Sequence, residues 1–322
     1  MHNNISSADR QEVLVDRSSS GRVRPWAEHK RNNELLAMLY DQLRPDKAAR
    51  LRECATVLTF AVGEDGRRLQ SANFCRVRLC PVCAWRRSLK VYAQMSSVLA
   101  AMTVEDCAYL HVVLTVRNVQ GDDLGPTIDN MMSAWVRFRR SLGAIGVVLG
   151  WYRALEVAHN TDTDSAWYDT YHPHYHCIFA VPRGYFGGRL YIPQSGWADL
   201  WRRAARLDYP PDVYVHKIDG SSVAAVTKAI CEIAKYTTKP GEYIIPDDWD
   251  LSLDAVRVLD AALHRRRLVA FGGIIGDYHR RLRLDDPDSG DLVHIDPEQV
   301  SADTLERIVY AWHSGYRQYI RR

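Results

Sequence analysis

His172-Pro173-His174-Tyr175-His176 places an imidazole at every second position. In a β-strand alternate side chains share a face, so the three rings would gather on one side and Tyr175 would point to the other. Two imidazoles leave a divalent ion short of ligands, and a carboxylate from a neighbouring strand would complete the set. Glu156, within Arg153-Ala-Leu-Glu156-Val-Ala158, lies on the expected partner strand. His172 is the other candidate for the third position. Mixed nitrogen and oxygen ligation with open positions suits Mn²⁺ or Mg²⁺ acting as a Lewis acid on a phosphate oxygen. Zinc hydrolases and iron oxygenases use similar sets, so the trio alone does not choose a reaction.

A second run, Cys231-Glu232-Ile-Ala-Lys235-Tyr236-Thr-Thr-Lys239, reads as helix. There Glu232 and Tyr236 are i, i+4 neighbours on one face, and Lys239, three residues further on, can share it. A phenol is a poor nucleophile at neutral pH because its unperturbed pKa is about 10. Nearby cations, Lys235 and Lys239 here, together with a polarised phosphate would compensate. Glu-x-x-x-Tyr by itself recurs on ordinary helix surfaces; its meaning depends on the histidine strand.

A third run holds Cys75, Cys80 and Cys83, with Cys54 twenty-one residues before Cys75. A tight C-x2-C turn, stiffened by Pro81, presents two thiolates to one ion, and four soft ligands make a structural Zn²⁺ site. Cys107, Cys177 and Cys231 sit in apolar patterns and read as core residues. Between residues 76 and 90 lie Arg76, Arg78, Arg86, Arg87 and Lys90 with no acidic group, interleaved with Trp85 and preceded by Phe74. Such a mixture suits a nucleic-acid surface.

The elements that must carry these groups follow from periodicity. Residues 1–30 are polar and aperiodic and read as a mobile arm. A helix is expected over 32–43, stopping before Pro45, and a long one over 84–102. Residues 109–117, 151–158, 172–181 and 213–218 read as strands; 128–142, 197–207 and 221–237 read as helices. Residues 142–152 carry three glycines, as a helix end running into a strand does. The polar loop 160–170 between two strands implies an antiparallel pair, hence an α+β fold over a doubly wound one. Residues 251–268 and 302–320 read as helical. The expected domains are the arm at 1–30, the helix, zinc segment and basic helix at 31–105, a catalytic domain at 106–245 and a helical C-terminal part at 246–322.

Composition sets the limits. The chain has 322 residues, 47% of them hydrophobic, enough to bury a sizeable core. Its net charge is only +3, so nucleic-acid binding must come from local basic clusters. No apolar run approaches the roughly 18 residues of a membrane span, and the polar N-terminus lacks a signal core. A cytoplasmic protein is expected, with its thiols reduced.

Four segments in order resemble the replication initiators (Rep) of rolling-circle plasmids, the branch of HUH endonucleases with one catalytic Tyr and a nearby Glu. They are 73–88 around the cysteines, the strand Val112-Val-Leu-Thr-Val116, His172–His176, and Glu232–Lys239; Phe271-Gly-Gly273 is also similar. The resemblance spans about residues 50–280. It implies an antiparallel sheet of about five strands with helices packed on it, Tyr236 as nucleophile, and a metal held by His174 and His176. It further implies nicking of single-stranded or extruded origin DNA through a 5′-phosphotyrosine, with host helicase and polymerase as partners. To end the cycle, either Glu232 would activate water or a second subunit would supply the nucleophile. An HUH transposase or relaxase, a non-catalytic zinc-dependent DNA-binding regulator and a small-molecule metallohydrolase are the other classes the residues admit. Origin sequence and oligomeric state are not written in the chain.

Overall fold

A computed structural model describes residues 12–18, 21–63, 66–218, 225–227, 239–295 and 306–322. Cys231, Glu232, Lys235 and Tyr236 lie outside the described residues, as does most of the helix expected over 221–237; residues 225–227 are helical. The fold is α+β with two antiparallel sheets. The described residues divide into two units. One runs to Cys83 and includes 292–294 and 306–322; the other runs from Ala84 to Asp291 with Ile295.

The first unit holds α1 (Trp26–Leu43), α2 (Pro45–Glu53), β1 (Val57–Gly63) and β2 (Gly66–Ala72). Its sheet has the order β2-β1-β8-β9, closed by β8 (Glu306–His313) and β9 (Gln318–Arg321) from the far end of the chain. Of the helix expected over 302–320, the described part from 306 onward is a hairpin instead. In Arg307-Ile-Val-Tyr-Ala-Trp312, Ile308 and Tyr310 are buried at alternate positions, and β-branched and aromatic residues suit a pleated, half-buried surface. The arm expected over 1–30 is also ordered where it is described. Trp26 Nε1 donates to Asp16 Oδ2 at 2.7 Å, Val13 bridges Ile320, and α1 starts at Trp26, six residues earlier than expected. Asp16 is 1% exposed, so this polar segment is held through one buried carboxylate oxygen, which takes the Trp26 N–H, rather than by apolar periodicity.

The second unit is built on a five-stranded sheet of order β6-β3-β5-β4-β7. The strands are β3 (Cys107–Thr115), β4 (Gly150–Asn160), β5 (Thr170–Pro182), β6 (Val213–Ile218) and β7 (Val269–Gly272). The helices are α3 (Pro81–Ala101, whose first turn belongs to the first unit), α4 (Gly121–Ile145), α5 (Gln194–Ala205), α6 (Trp249–Leu263) and α7 (Gly273–Arg281). The C-terminal part is thus helical through α6 and α7. Gly146 ends α4 with φ +74°, donating its N–H to Leu142 and Gly143, and β4 follows.

The two faces of this sheet have different uses. One buries an aromatic core: Trp135 and Phe138 of α4 and Trp197 and Trp201 of α5 meet Tyr175 and Phe179 of β5. Tyr175 does point away from the histidines. The opposite face is apolar at one end only, where Val91, Met95 and Met102 cluster with Tyr109, Tyr152, Ile178 and Ala180. Its other end carries the histidines.

Phe271-Gly-Gly273 joins β7 to α7 under tight constraint. A side chain at Gly272 would run into the Trp151 indole, and one at Gly273 into the Leu149 carbonyl. Gly273 also has φ +56°, a conformation that costs other residues. The close approach lets Ile274 N–H donate to Leu149 O at 2.9 Å, tying α7 to the start of β4.

Candidate functional site

The β4–β5 register sets Glu156 opposite His174 and Ala154 opposite His176. Period-two geometry then puts Glu156, His174 and His176 on one face at neighbouring positions. Their ligand atoms all lie within 4.8 Å of one another. His174 Nε2 is 3.2 Å from His176 Nε2, and Glu156 Oε2 is 3.1 Å from His176 Nε2 and 3.9 Å from His174 Nε2. His172 does not join this group; its ring centroid stands 5.2 Å from that of His174.

The second ring nitrogens are also spoken for. His174 Nδ1–H donates to His172 O at 3.0 Å, which leaves the Nε2 lone pair turned to the cluster. His176 Nδ1 is 3.3 Å from His111 Nε2, and those two rings stack at 18°. Partners of this kind fix the tautomer and aim of a ligating imidazole. Burial pushes His174 down to about 4, against the opposing bond to His172 O, and pushes His111 down to about 4, helped by His176 and His216. Both rings are therefore neutral near pH 7 and can offer lone pairs. For Glu156 burial works upward, but hydrogen bonding with His176 and the charge of Lys239 prevail and hold the carboxyl below its usual range. Two imidazoles and one carboxylate, their ligand atoms within 4.8 Å of one another, fit a divalent cation and leave coordination positions for a substrate oxygen.

Lys239 enters the same place. Its Nζ lies 3.3 Å from Glu156 Oε1. The chain beyond it is anchored to the end of β4: Glu242 Oε2 accepts the His159 N–H at 2.7 Å, and His159 Nδ1 donates to Glu242 O at 2.9 Å. His159 is 5% exposed, stacks on Tyr171 at 4.4 Å, and pairs through Nε2 with Asp169. His111, His159 and Glu242 were not singled out from sequence. His111 was the legible one, a polar interruption at an inward position of an apolar strand.

The second cluster is Cys54, Cys75, Cys80 and Cys83, whose Sγ atoms also lie within 4.8 Å of one another. Cys54 Sγ is 3.6 Å from both Cys80 and Cys83, and Cys75 Sγ is 3.8 Å from Cys83. A tetrahedral ion with bonds of about 2.3 Å needs sulfur–sulfur edges of about 3.8 Å, so the donor set is compatible with zinc. Backbone N–H groups point at the sulfurs as thiolates require: Cys75 to Cys54, Arg76 to Cys83, Val77 to Cys75 and Cys83 to Cys80. Pro81 is the first residue of α3, where a missing N–H costs nothing.

Helix α1 supplies two further groups. Asn33 Nδ2 donates to Cys80 Sγ at 3.2 Å, and Lys30, 1% exposed, donates to the carbonyls of Arg52 and Cys54 at 2.8 and 2.7 Å. Burial lowers the Lys30 pKa, while Cys54, Glu34 and the other thiols hold it up. Crowding splits the thiols themselves. Hydrogen bonds from its three neighbours, Cys75 first, raise Cys54 well above the usual range; Cys80 is driven well below it, its bonds outweighing burial.

A family model described as "Replication protein" matches residues 66–320. "Protein rep" of Bacillus amyloliquefaciens is 38% identical over 98% of this chain and 99% of its own length. "Protein rep" of Streptococcus pneumoniae is 31% identical over 97% of this chain and 96% of its own, and that of Lactiplantibacillus plantarum 29% over 96% and 98%. The chain belongs to the replication protein family. No solved structure matches it.

The basic run at 76–90 was the stretch expected to form a nucleic-acid surface. Arg76 is exposed, and Arg78 and Arg87 are half-buried. Arg86 and Lys90 are not surface groups, against expectation: they are 1% and 2% exposed. Lys90 sits on the inner side of α3, its Nζ 2.6 Å from Asp285 Oδ2 and 2.9 Å from Asp286 O. A lysine so committed cannot also reach a phosphate. Among the described residues no helix is long and apolar enough to cross a membrane.

Proposed function

We propose that this replication protein initiates rolling-circle replication of a plasmid by nicking one strand of origin DNA and becoming joined to it through Tyr236. The observation that carries the reading is the Glu156–His174–His176 cluster on adjacent strands, with Lys239 on its carboxylate. Three peptide units separate Lys239 from Tyr236, so covalent geometry alone keeps the two Cα atoms within about 11 Å whatever the conformation between them.

His174, His176 and Glu156 would hold Mn²⁺ or Mg²⁺, which when bound supplies Lewis-acid polarisation of a phosphate oxygen. Everything else falls to the chain. His111 and the His172 carbonyl keep both imidazoles aimed and in the right tautomer. Lys239 and Lys235 add positive charge where a phenolate forms and a phosphate binds. The Tyr236 oxygen attacks phosphorus, its proton passes to solvent or a base, the bond from phosphorus to the 3′-oxygen breaks, and a free 3′-hydroxyl leaves. The new phosphotyrosine bond keeps the energy of the phosphodiester, so rejoining needs no nucleotide cofactor. A host polymerase would extend the 3′-hydroxyl behind a host helicase in the cytoplasm. Glu232 would serve as general base for the hydrolysis that closes the cycle. The four cysteines would hold a structural Zn²⁺, and Arg76, Arg78 and Arg87 would contact phosphates.

The test is incubation with labelled single-stranded origin DNA and Mn²⁺ followed by denaturing electrophoresis. A shortened strand and a protein–DNA band of matched yield are expected, both absent in His174→Ala. Strong DNA binding without any cleavage would make the protein a regulator.

A further inference from the structure

Beside the histidine cluster lies a cavity of about 360 Å³ whose lining includes Arg117, Asn118, Trp167, His172, Tyr209 and Asp212. Its place in the fold is informative. Thr115 ends β3 directly opposite His174, and His172 is two residues before His174 on β5. The cavity therefore continues the metal-ligating face beyond its edge, where a strand of DNA with its phosphate at Glu156, His174 and His176 must pass.

The lining is specialised. The Arg117 guanidinium lies 3.7 Å from the Tyr209 ring centroid, and the Arg117 backbone N–H donates to Tyr209 Oη at 2.9 Å. One residue thus holds the phenol ring at its face and at its tip. Among the described residues Arg117 makes no ion pair, although it is exposed. Trp167 is 55% exposed, yet its loop is firmly pinned: Trp167 N–H donates to Ser165 Oγ, Asn160 Nδ2 donates to the same oxygen, and Asn118 Nδ2 donates to Thr170 Oγ1. A pinned loop presenting an exposed indole, beside a tyrosine capped by an unpaired guanidinium, is costly to keep for an empty surface. Volume narrows the occupant. The cavity is near the small end for ligand sites, too small for a duplex groove contact and adequate for one nucleotide. Unstacked bases settle on aromatic rings and on arginine planes, while their edges meet amide and carboxylate groups such as those of Asn118 and Asp212.

We propose that this cavity holds one unpaired nucleobase of the cut strand, within two nucleotides of the scissile phosphate, and so helps set where the nick falls. The inference rests on the reading of the chain as a DNA-cleaving enzyme. Two arms separate the fates of the two ideas. In the first, the protein with Mn²⁺ is given a single-stranded library with a randomised centre and fixed flanks, and the cleaved and protein-linked products are sequenced. The wild type should select bases at several positions. Arg117→Ala and Trp167→Ala should relax selection at one position within two nucleotides of the cut and leave the others intact. Trp167→Phe, which keeps a stacking ring, should restore it. In the second arm, fluorescence anisotropy of a labelled thymidylate 12-mer, which needs no cleavage, should show roughly ten- to a hundredfold weaker binding for Trp167→Ala. Both side chains are exposed, so melting temperatures should not move. An unchanged cut preference in Arg117→Ala and Trp167→Ala overturns the proposal. If the wild type yields no adducts at all, the nuclease reading fails, and equal 12-mer binding by wild type and Trp167→Ala then overturns the pocket as well.

Discussion

Glu156→Gln removes the carboxylate of the histidine cluster while keeping its shape. In the structure Glu156 Oε2 stands 3.1 and 3.9 Å from the two histidine Nε2 atoms, and Oε1 holds Lys239 Nζ at 3.3 Å. The amide keeps the volume but loses the charge and puts a donor beside Nε2 atoms that must accept. Loss of an outer partner of a metal ligand already costs 10–100-fold in affinity, so loss of a ligand should cost at least about a hundredfold, or about 2.7 kcal/mol. Lys239 then makes matters worse, because its ammonium loses the carboxylate it pairs with at the site; Glu156→Gln/Lys239→Ala should recover part of the loss. The assay is calorimetric titration of Mn²⁺ into zinc-loaded protein, with His172→Ala as control. Because the His172 ring stands outside the cluster, that variant should bind Mn²⁺ within about threefold of wild type, well short of the loss expected for a ligand. The reasoning is refuted if Glu156→Gln binds Mn²⁺ like wild type, or if His172→Ala matches its loss.

The cysteine centre should hold about one zinc per chain by elemental analysis, and Cys80→Ser should lose it; a folded, active preparation free of zinc would dismiss the assignment. Lys30→Met leaves the Arg52 and Cys54 carbonyls without their buried cation and should cost about 3 kcal/mol, with faster loss of zinc to a chelator; unchanged melting and unchanged release would make Lys30 incidental. Gly273→Ala combines a left-handed φ with a backbone clash and should cost at least about 2 kcal/mol, a drop of roughly 4–8 °C in melting temperature; a shift under one degree would mean the turn is looser than described. Glu232→Ala should leave adduct formation in place and slow its hydrolysis, measured as the ratio of adduct formed to adduct released on one oligonucleotide. A ratio equal to wild type would pass termination to another group.

How much of this was legible depended on whether the signal was local. His172 to His176 revealed strand and face at once, because a period of two needs only the segment itself. Glu156 was legible one step further out, since a polar loop of ordinary length between two strands implies an antiparallel pair and hence a register. The β1–β8 pairing was not, because Leu58 and Tyr310 are 252 residues apart and no local pattern announces a partner that distant. Lys30 and Asn33 were missed for the same reason: nothing in a polar helix says it will lie on four cysteines. Lys90 misled because composition counts charges without saying which side of a helix they occupy; Asp285, 195 residues away, had already claimed this one.

The central claim is that Tyr236 becomes covalently bound to DNA. Wild-type protein should be incubated with Mn²⁺ and single-stranded origin DNA, the adduct digested with nuclease and protease, and the remaining modified peptide sequenced by mass spectrometry. The account predicts a single modified site, a 5′-nucleotide phosphate on the oxygen of Tyr236, and none in Tyr236→Phe. Cleavage that leaves no peptide-linked nucleotide, or a nucleotide on any other residue, would contradict it.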